Sequence, residues 1–295
     1  MAIPTSVNRL VDDKAGLIDG AVNTVGGDMT SIQRRIFASV KKQLRKYPSK
    51  AGFFVFDNDT SAEATQLTLE IEAEIFSALQ GSKYPGNVGK YLKDYNGIID
   101  LNKGIHKSLN DISPEAIDDL IDPFLKQSIA ATTEQLTGAG MSDALIKPVQ
   151  QSLQNNVIAG ANIEDAESTL RAFIEGDSKR LGALDRYVGQ ISRDSISQFD
   201  GMINGNIAEE FELDAFRYVG SLIIDSRPQC KRWVSDFGGI LPIDTLQNQI
   251  DWAKTNGTGY IQGTNPKNFA SLRGGYNCRH QAIPFKLSDE EKENL

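Results

Sequence analysis

The sequence contains few of the residues that most often bind metals or form covalent cross-links. Its 295 residues include two cysteines, Cys230 and Cys278, and two histidines, His106 and His280. So few cysteines exclude a small fold held together by several disulfides. Both cysteines lie in the same C-terminal segment, and in a reducing compartment we expect free thiols or a metal site rather than a disulfide.

Long hydrophobic runs are also missing. Residues 1 to 4 lack the basic stretch and apolar run of a secretory signal, and no window reaches the roughly 18 continuous apolar residues of a membrane span. The sequence therefore predicts a protein made and kept in the cytoplasm, with no membrane partner. The net charge of -8 argues against a surface that wraps nucleic acid as a whole, so any contact with DNA must be local.

What the sequence does contain is enough apolar material for a buried core. Hydrophobic residues make up 40% of the chain and charged residues 24%, while the 26 glycines and 10 prolines are near average usage. A chain of this length favours two structural units rather than one. Its stability does not require a metal ion or a disulfide.

The spacing of apolar residues predicts mainly α structure. Between residues 31 and 212, apolar positions recur every three or four residues, as in Ile32, Ile36, Val40 and Leu44, which indicates successive helices. From Ala215 the sequence is rich in aromatic and branched residues and then in glycine, which is typical of short strands and turns. We therefore predict a long helical N-terminal domain followed by a small α+β C-terminal module.

The predicted boundaries follow these changes in composition. They are an N-terminal arm at 1–30, a helical domain at 31–212, a small α+β module with a Cys/His block at 213–286, and an acidic tail at 287–295 that we expect to fray. Residues 225–286 carry eight basic against four acidic side chains, so the module is basic although the whole chain is acidic.

One predicted helix, residues 31–50, contains seven basic residues and no acidic one. Such a charge run is often a solvated face without a function. The alternative is contact with a phosphate backbone or an acidic partner. The candidate contact residues are Arg34, Arg35, Lys41, Lys42, Arg45 and Lys46.

The C-terminal Cys/His block is the most informative chemical pattern. Cys278 and His280 are two residues apart, so on an extended strand their side chains point to the same side. With Cys230 they supply three zinc ligands, one fewer than a closed structural site needs, and Trp233 stands where a CxxC pair would have its second cysteine. Two other interpretations remain open: buried thiols packed side by side with His280 bonded to a carbonyl, or a Cys–His catalytic dyad.

Two blocks of sequence resemble a known viral family. They are Asp225-Ser226-Arg227-Pro228-Gln229-Cys230 and, about 40 residues later, Arg273-Gly274-Gly275-Tyr276-Asn277-Cys278-Arg279-His280. Together they resemble the C-terminal module of tailed-bacteriophage minor head proteins, the head morphogenesis proteins similar to the F protein of phage Mu. The residues that match the family pattern are Asp225, Arg227, Cys230, Asn277, Cys278, Arg279 and His280. Many relatives have a second cysteine where this chain has Trp233.

The resemblance implies a structural protein of the virion rather than an enzyme. A minor head protein would be assembled in the host bacterial cytoplasm and act near the portal or neck in head assembly or genome delivery. Its partners would be portal, major capsid or neck proteins, with several copies around a ring and contact with packaged DNA. Asp225, Arg227, Asn277 and Arg279 would be structural motif residues, and zinc would be the expected cofactor if there is one.

The alternative function is enzymatic. In that interpretation the C-terminal module is a nuclease or a toxin-like transferase fused to a helical delivery segment. His280, Arg279, Arg273 and Asp225 would then supply proton transfer and phosphate binding. His106 has no neighbouring ligand residue in the sequence and is interpreted as an ordinary polar position.

Overall fold

The computed structural model describes residues 4–293, and these form a mainly α protein, as the sequence predicts. The helices are α1 Thr5–Val25, α2 Met29–Leu44, α3 Ser61–Gln80, α4 Tyr84–Asn110, α5 Pro114–Thr137, α6 Ala139–Met141, α7 Lys147–Ile158, α8 Ile163–Glu175, α9 Ala183–Glu210, α10 Pro228–Ser235, α11 Leu246–Asn256, α12 Phe269–Leu272 and α13 Asp289–Glu293. A π-helical turn, Ser142–Ile146, joins α6 to α7, and a 3₁₀ turn, Pro266–Asn268, precedes α12. The strands are β1 Ser49–Lys50, β2 Phe53–Phe54, β3 Ala215–Val219, β4 Ile240–Pro242 and β5 Gln281–Phe285.

The compact units do not follow the linear boundaries predicted from composition. Unit 1 comprises the described residues of Met1–Ala21, Lys93–Ala130 and Arg193–Leu295, and unit 2 comprises Val22–Leu92 and Ala131–Ser192. The division falls inside α1, α4, α5 and α9, which are 21 to 28 residues long. A helix of 20 residues already spans about 30 Å, the diameter of a small domain, so one helix can supply residues to two units.

Most of the predicted N-terminal arm, residues 1–30, is helical where it is described, because α1 spans Thr5–Val25. Val7 and Val11 are four residues apart on α1, and both are buried with Ile105 and Ile283 inside unit 1. The backbone carbonyl of Val11 also accepts a hydrogen bond of 3.1 Å from the side-chain amide of Gln281. Burial of this apolar stripe gives the N-terminal residues their helical structure.

Unit 2 is built from packed helices. The sides of α2 contact α3 and α8, and α7 contacts both α3 and α8. The predicted stripe of α2 is confirmed, since Ile32, Ile36, Val40 and Leu44 are all buried. Strands β1 and β2 form a two-stranded antiparallel hairpin. Within residues 4–293, no helix combines the length and the mean hydropathy of a transmembrane span.

The C-terminal part of unit 1 contains a small antiparallel sheet with strand order β4-β3-β5. Tyr218 of β3 pairs with Ala282 of β5, and the strand ends at Val219 because Gly220 has a φ of 151°. Aromatic side chains from the sheet and its helices form the core, with Trp233 at its centre. This α+β arrangement is the one expected for the module.

The acidic tail is ordered against the module as far as it is described. Leu287 is buried, and its backbone N–H donates to the Asp214 carboxylate over 2.6 Å. Lys292 pairs with the same carboxylate at 3.3 Å, and Glu291 pairs with Arg217 at 3.3 Å. The expectation that the tail frays is therefore wrong for residues 287–293, because acidic and basic side chains of the tail form ion pairs with the module. Residues 294 and 295 lie outside the described part.

A buried polar network within unit 1 has no counterpart in the sequence-based expectations. The Lys14 ammonium, wholly buried, lies 2.7 Å from Asp200 Oδ1 and 2.9 Å from Asn102 Oδ1. His106, interpreted above as an ordinary polar position, is wholly buried and lies 2.9 Å from Asn204 Oδ1. Burial lowers the pKa of His106 to about 4, so this imidazole is neutral at neutral pH. A buried ion pair of this kind links residues of α1 and α9 and is costly to break.

Candidate metal centre

Short helices and strands of the module bring the two sequence blocks together. Helix α10 starts at Pro228, directly after Arg227, and this places Cys230 in the first turn. Cys278 and His280 lie immediately before β5, next to the end of β3. Strand β3 pairs with β5 and packs against α10, so it holds the two blocks on either side of it.

The structure brings Cys230, Cys278 and His280 together. One ligand atom from each lies within 4.8 Å of the others, and all three residues are buried. Cys278 Sγ is 3.8 Å from His280 Nδ1. Two ligands of a tetrahedral zinc ion are about 3.5 Å apart, so these three side chains are already near the separation that a metal needs.

The chemistry of these donors fits a soft or borderline metal ion. Two thiols and an imidazole are the ligand types that zinc prefers. His280 Nε2 is buried and has no hydrogen-bond partner among residues 4–293. The nitrogen that lies near Cys278 Sγ is the other one, Nδ1, so the unsatisfied atom belongs to the same imidazole but is not the one placed beside the sulfur.

A fourth polar group, which the sequence did not indicate, lies at the cluster. Tyr218 Oη is 3.3 Å from Cys230 Sγ and 3.4 Å from Cys278 Sγ. The Tyr218 ring stacks on the His280 ring with centroids 5.0 Å apart. Strand alternation could have shown that Tyr218 and Phe216 share the core face, but not that the hydroxyl meets both sulfurs.

The two thiols have opposite pKa shifts because they share a proton. A hydrogen bond from Cys230 lowers the pKa of Cys278 well below its usual value, and His280 and Arg273 lower it further. The same hydrogen bond raises the pKa of Cys230, as does burial. Burial and the negative sulfurs raise the pKa of Tyr218. Cys278 is therefore the more readily ionised thiol, and the thiolate is the form that binds metals.

The absence of a side chain at Gly274 makes room for the cluster. A Cβ atom at this position would lie 2.3 Å from Cys278 Sγ, 2.7 Å from Tyr218 Oη and 2.9 Å from Cys230 Sγ. Real side chains do not approach so closely, so only glycine permits this arrangement of the two sulfurs and the hydroxyl. Gly220 plays a similar part on the other side, since its Cβ would lie 2.7 Å from the His280 ring.

Arg227 and Gln229 tie the first block to the second. Arg227 donates to the backbone carbonyls of Gly274, at 2.6 Å, and of Tyr276. Gln229 is fully buried and donates to the same Gly274 carbonyl at 3.0 Å. These bonds give Arg227 a structural part in the motif, because they fix the loop that carries Cys278.

The other motif residues have different surroundings. Asn277 adopts a left-handed conformation with φ of 57°, and its backbone N–H donates to Asp194 over 2.5 Å. Asparagine tolerates this conformation better than most residues, which accounts for its place in the turn. Asp225 and Arg279 are exposed.

All seven residues that carry the family resemblance line one cleft in unit 1. Its volume is about 710 Å³, and the lining includes Asp225, Arg227, Cys230, Asn277, Cys278, Arg279 and His280. Residues of α1, among them Asp12 and Asp19, form another part of its wall. The cleft gives solvent a path to the two sulfurs and the imidazole.

Arg273 does not have the place that the enzymatic interpretation gave it. Its side chain is buried, and its guanidinium donates to the backbone carbonyls of His280, of Ser197 at 3.0 Å and of Ala270 at 2.7 Å. These bonds occupy the guanidinium inside the fold. Arg273 therefore fixes the backbone of His280 from the interior of the module, and it does not face a substrate in the cleft.

The basic residues predicted as contacts belong to α2 and its C-terminal end in unit 2. Lys41 and Arg45 both pair with Glu167 of α8, and Arg35 donates to the Gly81 carbonyl over 2.6 Å. The remaining three, Arg34, Lys42 and Lys46, are exposed and form no ion pair within residues 4–293.

Comparison of the chain with protein-family profiles, with curated proteins and with solved structures finds no match in any of the three. The resemblance to phage minor head proteins therefore rests on the two sequence blocks.

We expect Gly274→Ala to disrupt the cluster, because the added methyl group would overlap Cys278 Sγ. Overpacking of this kind costs about 1–3 kcal/mol in the free energy of unfolding, which chemical denaturation would measure. Gly263→Ala is the matched control, because a Cβ there has nothing within 4 Å. Equal stability of the two variants would contradict the close approach at Gly274.

Proposed function

We propose that this chain is a structural minor head protein of a tailed bacteriophage, located near the portal or neck. The observation that carries the proposal is the convergence of the two family-like blocks on one cleft, although about 40 residues separate them in the sequence. A chance match to a linear pattern would not require its residues to meet. The helices ahead of the module agree with the architecture that the resemblance implies.

The three clustered side chains support a zinc ion as part of this function. Cys230 would bind from α10, and Cys278 and His280 would bind from the segment before β5. When bound, zinc would supply a cross-link between these two parts of the module. A small module gains stability from such a metal, because ligands that are far apart in the unfolded chain are held together.

The structural role has more support than the enzymatic alternative. Of the two arginines in the enzymatic interpretation, Arg273 uses its guanidinium for backbone carbonyls inside the fold, whereas Arg279 is exposed and lines the cleft. His106 lies in a buried network rather than beside His280. The cleft thus lacks a second histidine as a proton-transfer partner among the residues that line it.

Contact with packaged DNA is part of the same proposal. Arg34, Lys42 and Lys46 project unpaired charge from unit 2, whereas Lys41 and Arg45 are partly neutralised by Glu167. Local positive charge on an acidic protein would allow selective contact with phosphates. The other partners would be portal, major capsid or neck proteins arranged as a ring.

The proposal predicts where the protein is found during head assembly. When it is produced with its neighbouring virion genes, we expect density for several copies at the portal or neck end of assembling heads. Cryo-electron microscopy of heads formed with and without the chain is the measurement. If heads form and fill normally without the chain, and none contains it, the proposal is wrong.

The zinc site predicts one bound ion per chain. Elemental analysis of protein reconstituted with zinc should show this stoichiometry, and Cys230→Ser, Cys278→Ser and His280→Asn should each reduce it. Arg279→Gln is the control, because Arg279 lines the same cleft but offers no ligand. A chelator should lower the melting temperature of the unaltered protein. Zinc content unaffected by all three substitutions would contradict the assignment.

The DNA contact predicts binding that weakens with salt. Reversing three charges, in the Arg34→Glu, Lys42→Glu and Lys46→Glu variant, should weaken binding to duplex DNA and reduce the salt slope by about three, since each phosphate contact contributes about 0.9. The control reverses the exposed Lys90, Lys179 and Arg180, which changes net charge equally. Fluorescence anisotropy at several salt concentrations measures both slopes. Equal losses of DNA affinity in the two variants would contradict a specific role for α2 in DNA binding.

A further inference from the structure

We propose that the Tyr218 hydroxyl oxygen is the fourth ligand of the metal centre, which makes it a closed site of two thiolates, one imidazole and one phenolate. This inference rests on the zinc site proposed above. The three residues found from the sequence leave one position of a tetrahedral ion open. What occupies that position decides whether the ion is structural or able to bind a substrate.

The distances at the cluster fit a shared metal. Tyr218 Oη lies 3.3 Å and 3.4 Å from the two sulfurs, and a tetrahedral ion holds a sulfur and an oxygen ligand about 3.5 Å apart. The fourth group therefore lies near the required separation without any rearrangement of the backbone. Cys278 Sγ and His280 Nδ1 are similarly spaced at 3.8 Å.

Tyr218 approaches the cluster from the core side. Cys230, Cys278 and His280 line the cleft, but Tyr218 is not part of that lining. Its ring packs instead against Trp233, with centroids 5.1 Å apart and the rings nearly perpendicular. A ligand in this position would complete the coordination from the interior, while the cleft gives a metal ion access to the site.

The position of Tyr218 is fixed by its strand. Its backbone N–H donates to the Gly239 carbonyl over 2.7 Å, and the residue pairs with Ala282 across the sheet. Its ring is held between Trp233 and His280. A side chain restrained in this way binds a metal with little loss of conformational entropy.

The charges near the cluster suit this ligand set. Zinc with two thiolates and one phenolate carries a net charge of -1, which is costly in a buried site without a cation nearby. The buried Arg273 donates to the His280 carbonyl, and Arg227 donates to the Gly274 carbonyl over 2.6 Å, so two cations bond to the backbone around the cluster. These guanidinium groups offset the remaining negative charge. On binding, the proton of the phenol and the proton that the two thiols share pass to solvent.

The test compares zinc binding by two full-length variants with binding by the unaltered chain. Tyr218→Phe removes only the hydroxyl, and Tyr276→Phe is the control, because the Tyr276 side chain is exposed. The metal-free proteins are titrated with zinc in competition with a chromophoric chelator, and ultraviolet difference spectra are recorded during the titration. Loss of a group beside a bound metal costs about 10–100-fold in affinity, so loss of a direct ligand should cost at least about 10-fold.

The expected result is a tyrosinate difference band on zinc binding in the unaltered protein and in Tyr276→Phe, and no such band in Tyr218→Phe. Weaker zinc binding by Tyr218→Phe should accompany its loss. If Tyr218→Phe does not fold, the difference spectrum of the unaltered protein decides the question alone. Zinc binding without a tyrosinate band, or with unchanged affinity in folded Tyr218→Phe, would overturn the inference while leaving the zinc site intact. Failure of the unaltered protein to bind zinc would overturn both.

Discussion

The close approach of two sulfurs to the backbone at Gly274 is the constraint on which the C-terminal module depends. Because glycine has no side chain, the loop can lie against Cys230, Cys278 and Tyr218 in a space that any other residue would fill. Arg227 and Gln229 then hold the Gly274 carbonyl. The two family-like blocks are therefore parts of one packing arrangement, in which the loop and helix α10 determine each other's positions.

The same unit contains a second buried polar centre of a different kind. Lys14, Asn102 and Asp200 Oδ1 bond to one another away from solvent, and His106 is kept neutral in the same network. Asp200 Oδ2 is buried without a hydrogen-bond partner among residues 4–293. Burying these charges is costly, so the network is weak evidence for net stability, but removal of one partner would leave a buried charge uncompensated. It holds residues of α1, α4 and α9 in a fixed register within unit 1.

Sequence patterns predicted those features that depend on local spacing. The stripe of α2, the helical character of residues 31–212 and the α+β module follow from periodicity and composition. Helix α1 was missed because only part of its apolar pattern is continuous, and Lys14 interrupts it with a charge whose partner is 186 residues away. Tyr218 was also missed because its partner is distant. Its contact with Cys278 spans 60 residues and depends on strand pairing. Cys230, Cys278 and His280 could be grouped because cysteine and histidine are recognisable ligand types, whereas nothing in the sequence marks a lysine or a tyrosine as the partner of a distant residue.

A metal ion bound by both cysteines is the central claim made for the C-terminal module. X-ray absorption at the zinc edge of the purified, reconstituted protein tests this claim most directly. The account predicts a four-coordinate shell with two sulfur neighbours at about 2.3 Å and two nitrogen or oxygen neighbours at about 2.0–2.2 Å. A shell that contains no sulfur would contradict it.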